Sequence, residues 1–170
     1  MTRIWKAAAL GLLLVLGSLP GCVGYRLGST LPPDIKTLYI RLFANKCHEP
    51  LLEIDATNAT IAEFQKDGTL RLAPLGEADV VLEASLNALT LTPLRYSTVD
   101  KSKPNEYRMT LHVTFTLRRA RTREIVNEGS VIGESTFVFL GNIHSSRRAA
   151  TPDAAEDLAR RIVEKVVETW

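Results

Sequence analysis

Glu106-Tyr107-Arg108-Met109-Thr110-Leu111-His112-Val113-Thr114-Phe115-Thr116-Leu117-Arg118-Arg119 decides the fold. Tyr107, Met109, Leu111, Val113, Phe115 and Leu117 alternate without error with Arg108, Thr110, His112, Thr114, Thr116 and Arg118. A period of two puts successive side chains on opposite faces, so this is a half-buried strand with an apolar inner face. The Arg108–His112–Thr116 face is then open to water or to a partner. Upstream, Asp79 to Leu94 is a second long strand: Val80, Leu82, Ala84 and Leu86 hold even positions, Leu89 and Leu91 odd ones. That change of parity predicts a bulge near Ala88. Tyr96 to Asn105 is a polar loop and Ala120 to Arg123 a basic turn. Glu124 to Phe139 is a third long strand, broken in pattern by Gly129 and Gly133.

Outward from this centre, the period changes. Leu51 to Lys66 carries Leu51, Ile54, Ile61 and Phe64 on one helical stripe, and Asp67-Gly68 ends it with glycine at the C-cap. Thr151 to Trp170 predicts a second helix, with Thr151 as N-cap, Pro152 in the first turn, and Asp153 and Glu156 at the positive helix end. Its stripe is Ala155, Leu158, Ala159, Ile162, Val163 and Val166; Asp157–Arg161 is one of several opposite-charge pairs on the solvent side. Leu140 to Ala150, with His144, Arg147 and Arg148, is expected to be a loop. Ile35 to Phe43 is the first strand and Thr69 to Ala73 a short strand candidate. Strand, helix, several strands, helix is the order of an α+β sandwich, with the first strand parallel to a later one and both helices on one face of the sheet.

The chain begins with a different kind of segment. Arg3 and Lys6 precede the apolar run Ala7–Leu16, followed by Leu19-Pro20-Gly21-Cys22. A basic start, a short apolar run and a small residue before a cut read as a secretory signal. The run falls short of the roughly 20 residues of a spanning helix. The cysteine after Gly21 makes the segment resemble a bacterial lipoprotein signal, which implies cleavage before Cys22 and lipid, such as palmitate, on it. Val23 in place of an acidic residue resembles an outer-membrane destination. The expected organisation is a signal peptide at 1–21, a Gly- and Pro-rich tether at 22–34, and a single α+β domain at 35–170.

Composition narrows the function. The chain has 21 basic and 19 acidic residues. The signal takes Arg3 and Lys6 with it, so the remaining domain is balanced, which does not suit a nucleic-acid binder. Only two cysteines are present; with Cys22 carrying lipid, Cys47 has no partner and reads as a packing thiol. Cys47-His48-Glu49 lacks the further ligands a metal site needs, with His112 and His144 far off in sequence. There is no phosphate-binding glycine loop and no nucleophile elbow, so no enzyme and no cofactor are expected.

Cys22-Val23-Gly24-Tyr25-Arg26-Leu27-Gly28, Leu31-Pro32 before the first strand, Ala78-Asp79-Val80 and Glu106-Tyr107-Arg108-Met109 occur in the order and spacing of a known family. On these residues the chain resembles the lipopolysaccharide-assembly lipoprotein (LptE) family. The resemblance implies a four-stranded sheet with two helices, which with the pairing read above makes a mixed, mostly antiparallel sheet with both helices packed on one face. It also implies a plug inside the outer-membrane β-barrel that translocates lipopolysaccharide, held on the periplasmic side by its lipid, helping the barrel assemble and binding lipopolysaccharide. An anionic lipid calls for clustered bases, and the resemblance points to Lys101 and Lys103 before the Glu-Tyr strand and Arg147 and Arg148 before the last helix. A general periplasmic lipoprotein that binds a small ligand or scaffolds another envelope complex remains the alternative reading.

Overall fold

The structure is a computed structural model that describes residues 31–47 and 49–167. The expected signal peptide, Cys22, most of the 22–34 tether and His48 lie outside the described residues. Three long strands form the body: β4 Val80–Tyr96, β5 Pro104–Arg119 and β6 Ile125–Val138. They pair antiparallel in sequence order. Met109, Leu111, Val113, Phe115 and Leu117 are buried, while Arg108 and Thr114 are exposed. Tyr107, half-buried, stacks on Phe137 with ring centroids 5.7 Å apart. The predicted bulge is present at Asn87: Leu86 pairs with Val113, but Ala88 pairs with His112. One extra residue turns the later apolar positions of β4 back to the inner face, and Asn87 Nδ2 donates to Thr114 Oγ1 across the strands at 3.0 Å.

The sheet has six strands rather than four. β1 Thr37–Ile40 and β2 Ala44–Asn45 both run parallel to β4 along the same edge. Ile40 pairs with Leu82 and Ala44 with Ser85. The edge strand thus carries one residue more than β4 over this stretch; Arg41 N–H still donates to the Leu82 carbonyl at 3.0 Å, and the ladder is interrupted at Leu42–Phe43. β3 Arg71–Leu72 adds a short parallel strand outside β1. The order is β3-β1-β4-β5-β6, with β2 on β4.

Helix α1 Leu52–Asp67 ends as expected on Gly68 at φ 75°, whose N–H donates to the Phe64 carbonyl. Its buried face overlaps the predicted stripe at Phe64, with Ile61 half-buried against the core, and differs from it elsewhere. Leu52, Ala56, Thr57, Thr60 and Phe64 are buried; Leu51 and Ile54 are exposed. The helix packs on its fellow helix and on the β2 and β3 edge, where small side chains permit close approach. Thr57 is affordable there because its hydroxyl is satisfied, accepting from Phe43 N–H at 3.1 Å and donating to the Glu53 carbonyl at 2.6 Å.

Helix α2 Ile143–Val167 corrects the expected loop at 140–150. Asn142 Oδ1 accepts from the N–H groups of His144 and Ser145, which caps the real start. Thr151 is no cap: its hydroxyl donates to the Arg147 carbonyl one turn back. Pro152 lies inside the helix, and Asp153 and Glu156 are mid-helix rather than at its positive end. Burial of Ser146, Ala150, Thr151, Ala154 and Ala155 offsets the backbone bond that proline removes. The predicted stripe from Ala155 to Val166 is buried throughout.

α2 lies on β6 and β5. A Cβ on Gly133 would stand 2.5 Å from the Ala154 carbonyl oxygen and from Leu158 Cβ. The close approach is pinned by Asp157, which accepts from Glu134 N–H at 2.9 Å and pairs with Arg160 and Arg161 at 2.8 and 2.9 Å. Burial would raise the Asp157 carboxyl, but the Glu134 N–H and the two arginines hold it below the usual carboxylate range.

Candidate functional site

The β4–β5 hairpin carries the first pair of candidate bases to one end of the sheet. Ser97 N–H donates to the Lys103 carbonyl at 2.8 Å and closes the tip loop. Asp100 organises it: the carboxylate accepts from Ser102 Oγ at 2.6 Å and Ser102 N–H at 3.1 Å, and pairs with Lys103 Nζ at 3.1 Å. The Ser102 hydroxyl is the main reason its carboxyl sits below the ordinary range. Lys101 and Lys103 are both exposed.

The second pair divides. Arg147 Nη2 meets Glu49 Oε2 at 2.7 Å, with only 21% of the arginine side chain exposed. Its Nε is buried with no hydrogen-bond partner. Arg147 therefore ties the first turns of α2 to the segment before α1. Arg148 is exposed. α2 starts just after β6 ends, and that end of β6 pairs with the start of β5, Val138 with Glu106. Both pairs of bases thus belong to the tip end of the sheet. No hydrogen bond or ion pair among the described residues joins Lys101 or Lys103 to Arg147 or Arg148.

Apolar side chains at the same end were not singled out by the sequence reading. Leu94, Tyr96, Val99, Val138, Phe139 and Leu140 are exposed, Val99 and Leu140 at 95% and 80%. Phe139 N–H donates to the Asn105 carbonyl, which holds the exit of β6 beside the hairpin. The signal was present as the run Val138-Phe139-Leu140 and the apolar residues bordering a polar loop. Exposed apolar side chains beside cationic heads can meet an amphiphile, with hydrocarbon on one and anionic groups on the other.

The opposite end fixes the start of the domain. Asp79 accepts from the N–H groups of Lys36 and Thr37, each at 2.9 Å, and from the Thr37 hydroxyl at 2.8 Å. The Lys36 N–H, then the Thr37 hydroxyl, hold the Asp79 carboxyl below the usual range. Cys47 is half-buried against the core, its thiol donating to Asn45 Oδ1 at 3.3 Å. Among the described residues, no group of His, Cys, Asp and Glu is placed to hold a metal.

A family model described as LptE, Lipopolysaccharide-assembly, matches residues 35–166. No curated protein matches the chain. Among solved structures, a hypothetical protein from Chlamydia trachomatis is 12% identical at a TM-score of 0.56, over 78% of this chain and 95% of that one. A protein from Xanthomonas campestris is 11% identical at a TM-score of 0.53, over 79% and 87%. A minor lipoprotein from Acinetobacter baumannii is 13% identical at a TM-score of 0.51, over 78% and 92%. At these identities the likeness is one of fold.

Proposed function

Since the chain belongs to the LptE, lipopolysaccharide-assembly family, we propose that it is a lipid-anchored partner of the outer-membrane β-barrel that translocates lipopolysaccharide. In this reading residues 1–21 are removed, Cys22 carries the lipid, and residues 22–34 tether the domain on the periplasmic side. The domain then plugs the barrel, helps it assemble, and binds lipopolysaccharide on its way to the cell surface. Its role is one of assembly and binding rather than catalysis.

The family match over residues 35–166 carries this reading. Two features of the domain support it. Its balanced charge and half-polar open sheet face suit a wide polar lumen. Its tip sets Lys101, Lys103 and Arg148 in the same end as exposed Tyr96, Val99 and Leu140, which fits a phosphorylated, acylated ligand. Arg147 acts there as a positioning residue, through Glu49. Isolation of the chain with its barrel tests the partnership, and lipopolysaccharide binding tests the ligand. Replacing Lys101, Lys103 and Arg148 with glutamine should weaken binding by at least tenfold, since charge-assisted hydrogen bonds contribute about 1.5–3 kcal/mol each before solvent screening. Unchanged affinity would remove the ligand assignment.

A further inference from the structure

At the end of the sheet remote from the tip, Arg41, Arg118, Arg119 and Arg123 line a shallow open pocket of about 400 Å³ with Leu75 and Val81. Among the described residues that line it, Glu83 is the one carboxylate. Glu83 is shared by two of the arginines, Arg41 at 3.0 Å and Arg118 at 3.6 Å. Arg119 turns away to Asp34 at 2.6 Å and Glu124 at 3.8 Å. Arg123 is exposed, held at φ 62° in the turn from β5 to β6. The pocket mouth therefore keeps a surplus of positive charge from planar guanidinium groups, whose geometry suits phosphate oxygens.

The position of this pocket carries the rest of the argument. Leu31 and Pro32 line the hollow next to it, together with Arg119. The Asp34–Arg119 pair and the Asp79 hydrogen bonds fix the start of the domain here. Cys22 is nine residues before Leu31, a reach of at most about 30 Å at ~3.3–3.6 Å per residue. A lipid on Cys22 would hold this end within that distance of the bilayer surface.

We propose that the arginine pocket docks this end of the domain on phosphate headgroups of an anionic membrane surface. The inference rests on Cys22 being the membrane attachment. It concerns a different end of the molecule from the lipopolysaccharide-facing tip.

The test uses the processed chain, residues 22–170, carrying Cys22→Ser, to which no acyl chain can be attached, sedimented with phosphatidylcholine vesicles with or without about one-third phosphatidylglycerol. Arg41→Gln/Arg118→Gln/Arg123→Gln should lose on the order of a hundredfold in partitioning to the anionic vesicles, since each basic side chain near such a surface contributes about fivefold. The corresponding triple lysine variant should keep most of the binding. Arg123→Gln alone, expected to lose about fivefold, decides the matter if the triple glutamine variant folds poorly. Equal partitioning of the glutamine variants and the parent would overturn the proposal. So would displacement from the vesicles by millimolar inorganic phosphate at constant ionic strength, which would assign the pocket to a free anion. The assay needs no acylated protein, so its failure leaves the Cys22 reading intact; acyl mass on Cys22 of the native protein tests that reading separately.

Discussion

Asp79 gathers three donors at the start of the first strand, the Lys36 and Thr37 N–H groups and the Thr37 hydroxyl. Its carboxyl titrates below the usual range, so the folded state binds the proton less well than the unfolded chain does. The stability it contributes is therefore complete above the unfolded value of about 4 and is lost as pH falls through the lower folded value. Asp79→Asn should cost about 1 kcal/mol at pH 7, the order of a net hydrogen bond on an exposed site. Urea unfolding at pH 7 and at pH 3 should show the difference between variant and parent shrinking at the lower pH; a constant difference would contradict the assignment. Gly133 is a second single-residue constraint. Gly133→Ala places a methyl 2.5 Å from the Ala154 carbonyl oxygen and Leu158 Cβ, so α2 must move, at about 3 kcal/mol. Gly129→Ala meets the edge of the Phe115 ring at 3.3 Å and the flexible Lys165 side chain at 3.9 Å, and should cost about 1 kcal/mol or less. Thermal unfolding of the two variants reads this contrast directly.

Among the elements, α2 is where local and tertiary preferences conflict. Pro152 interrupts its backbone ladder, on the exposed side. Pro152→Ala should stabilise the protein by about 1 kcal/mol or more, because an interior proline costs a helix up to about 3 kcal/mol. An unchanged or lowered denaturant midpoint would mean that the proline sets a bend which α2 needs against β6. The same residues explain what was legible in advance. Thr151-Pro152 is locally a good helix start; the Asn142 cap and the burial of Ser146 and Ala150 extend the helix back to Ile143, and burial of that kind leaves no mark in a short window. β5 was legible because each of its faces has a different fate. The Asn87 bulge was legible because it reverses a parity. The buried face of α1 was legible only toward its end, at Ile61 and Phe64, since its neighbours select Ala56, Thr57 and Thr60 over the larger Leu51 and Ile54. At the candidate site, charge revealed Lys101 and Lys103, but the Arg147–Glu49 pair joins residues far apart in the chain and had no local signature. The pocket of Arg41, Arg118 and Arg123 likewise exists only once β1, β4 and β5 lie side by side.

At the scale of the whole molecule, the sheet separates two chemistries. One end holds the start of the domain and an arginine pocket; the other holds bases among exposed apolar side chains. This polarity is what a tethered plug requires, with one end bound toward the membrane and the other reaching along the path of an anionic amphiphile. Lipopolysaccharide binding should therefore respond to substitution at Lys101, Lys103 and Arg148 and be indifferent to Arg41 and Arg123, a separation that binding measurements on the two variant sets can resolve. The central claim is the partnership itself. Affinity isolation of the full chain from its own cells in mild detergent, with mass spectrometry of whatever accompanies it, tests that claim most directly. The account predicts one large outer-membrane β-barrel in equal amount with the chain; recovery of the chain alone, or with other envelope proteins in place of a barrel, would contradict it.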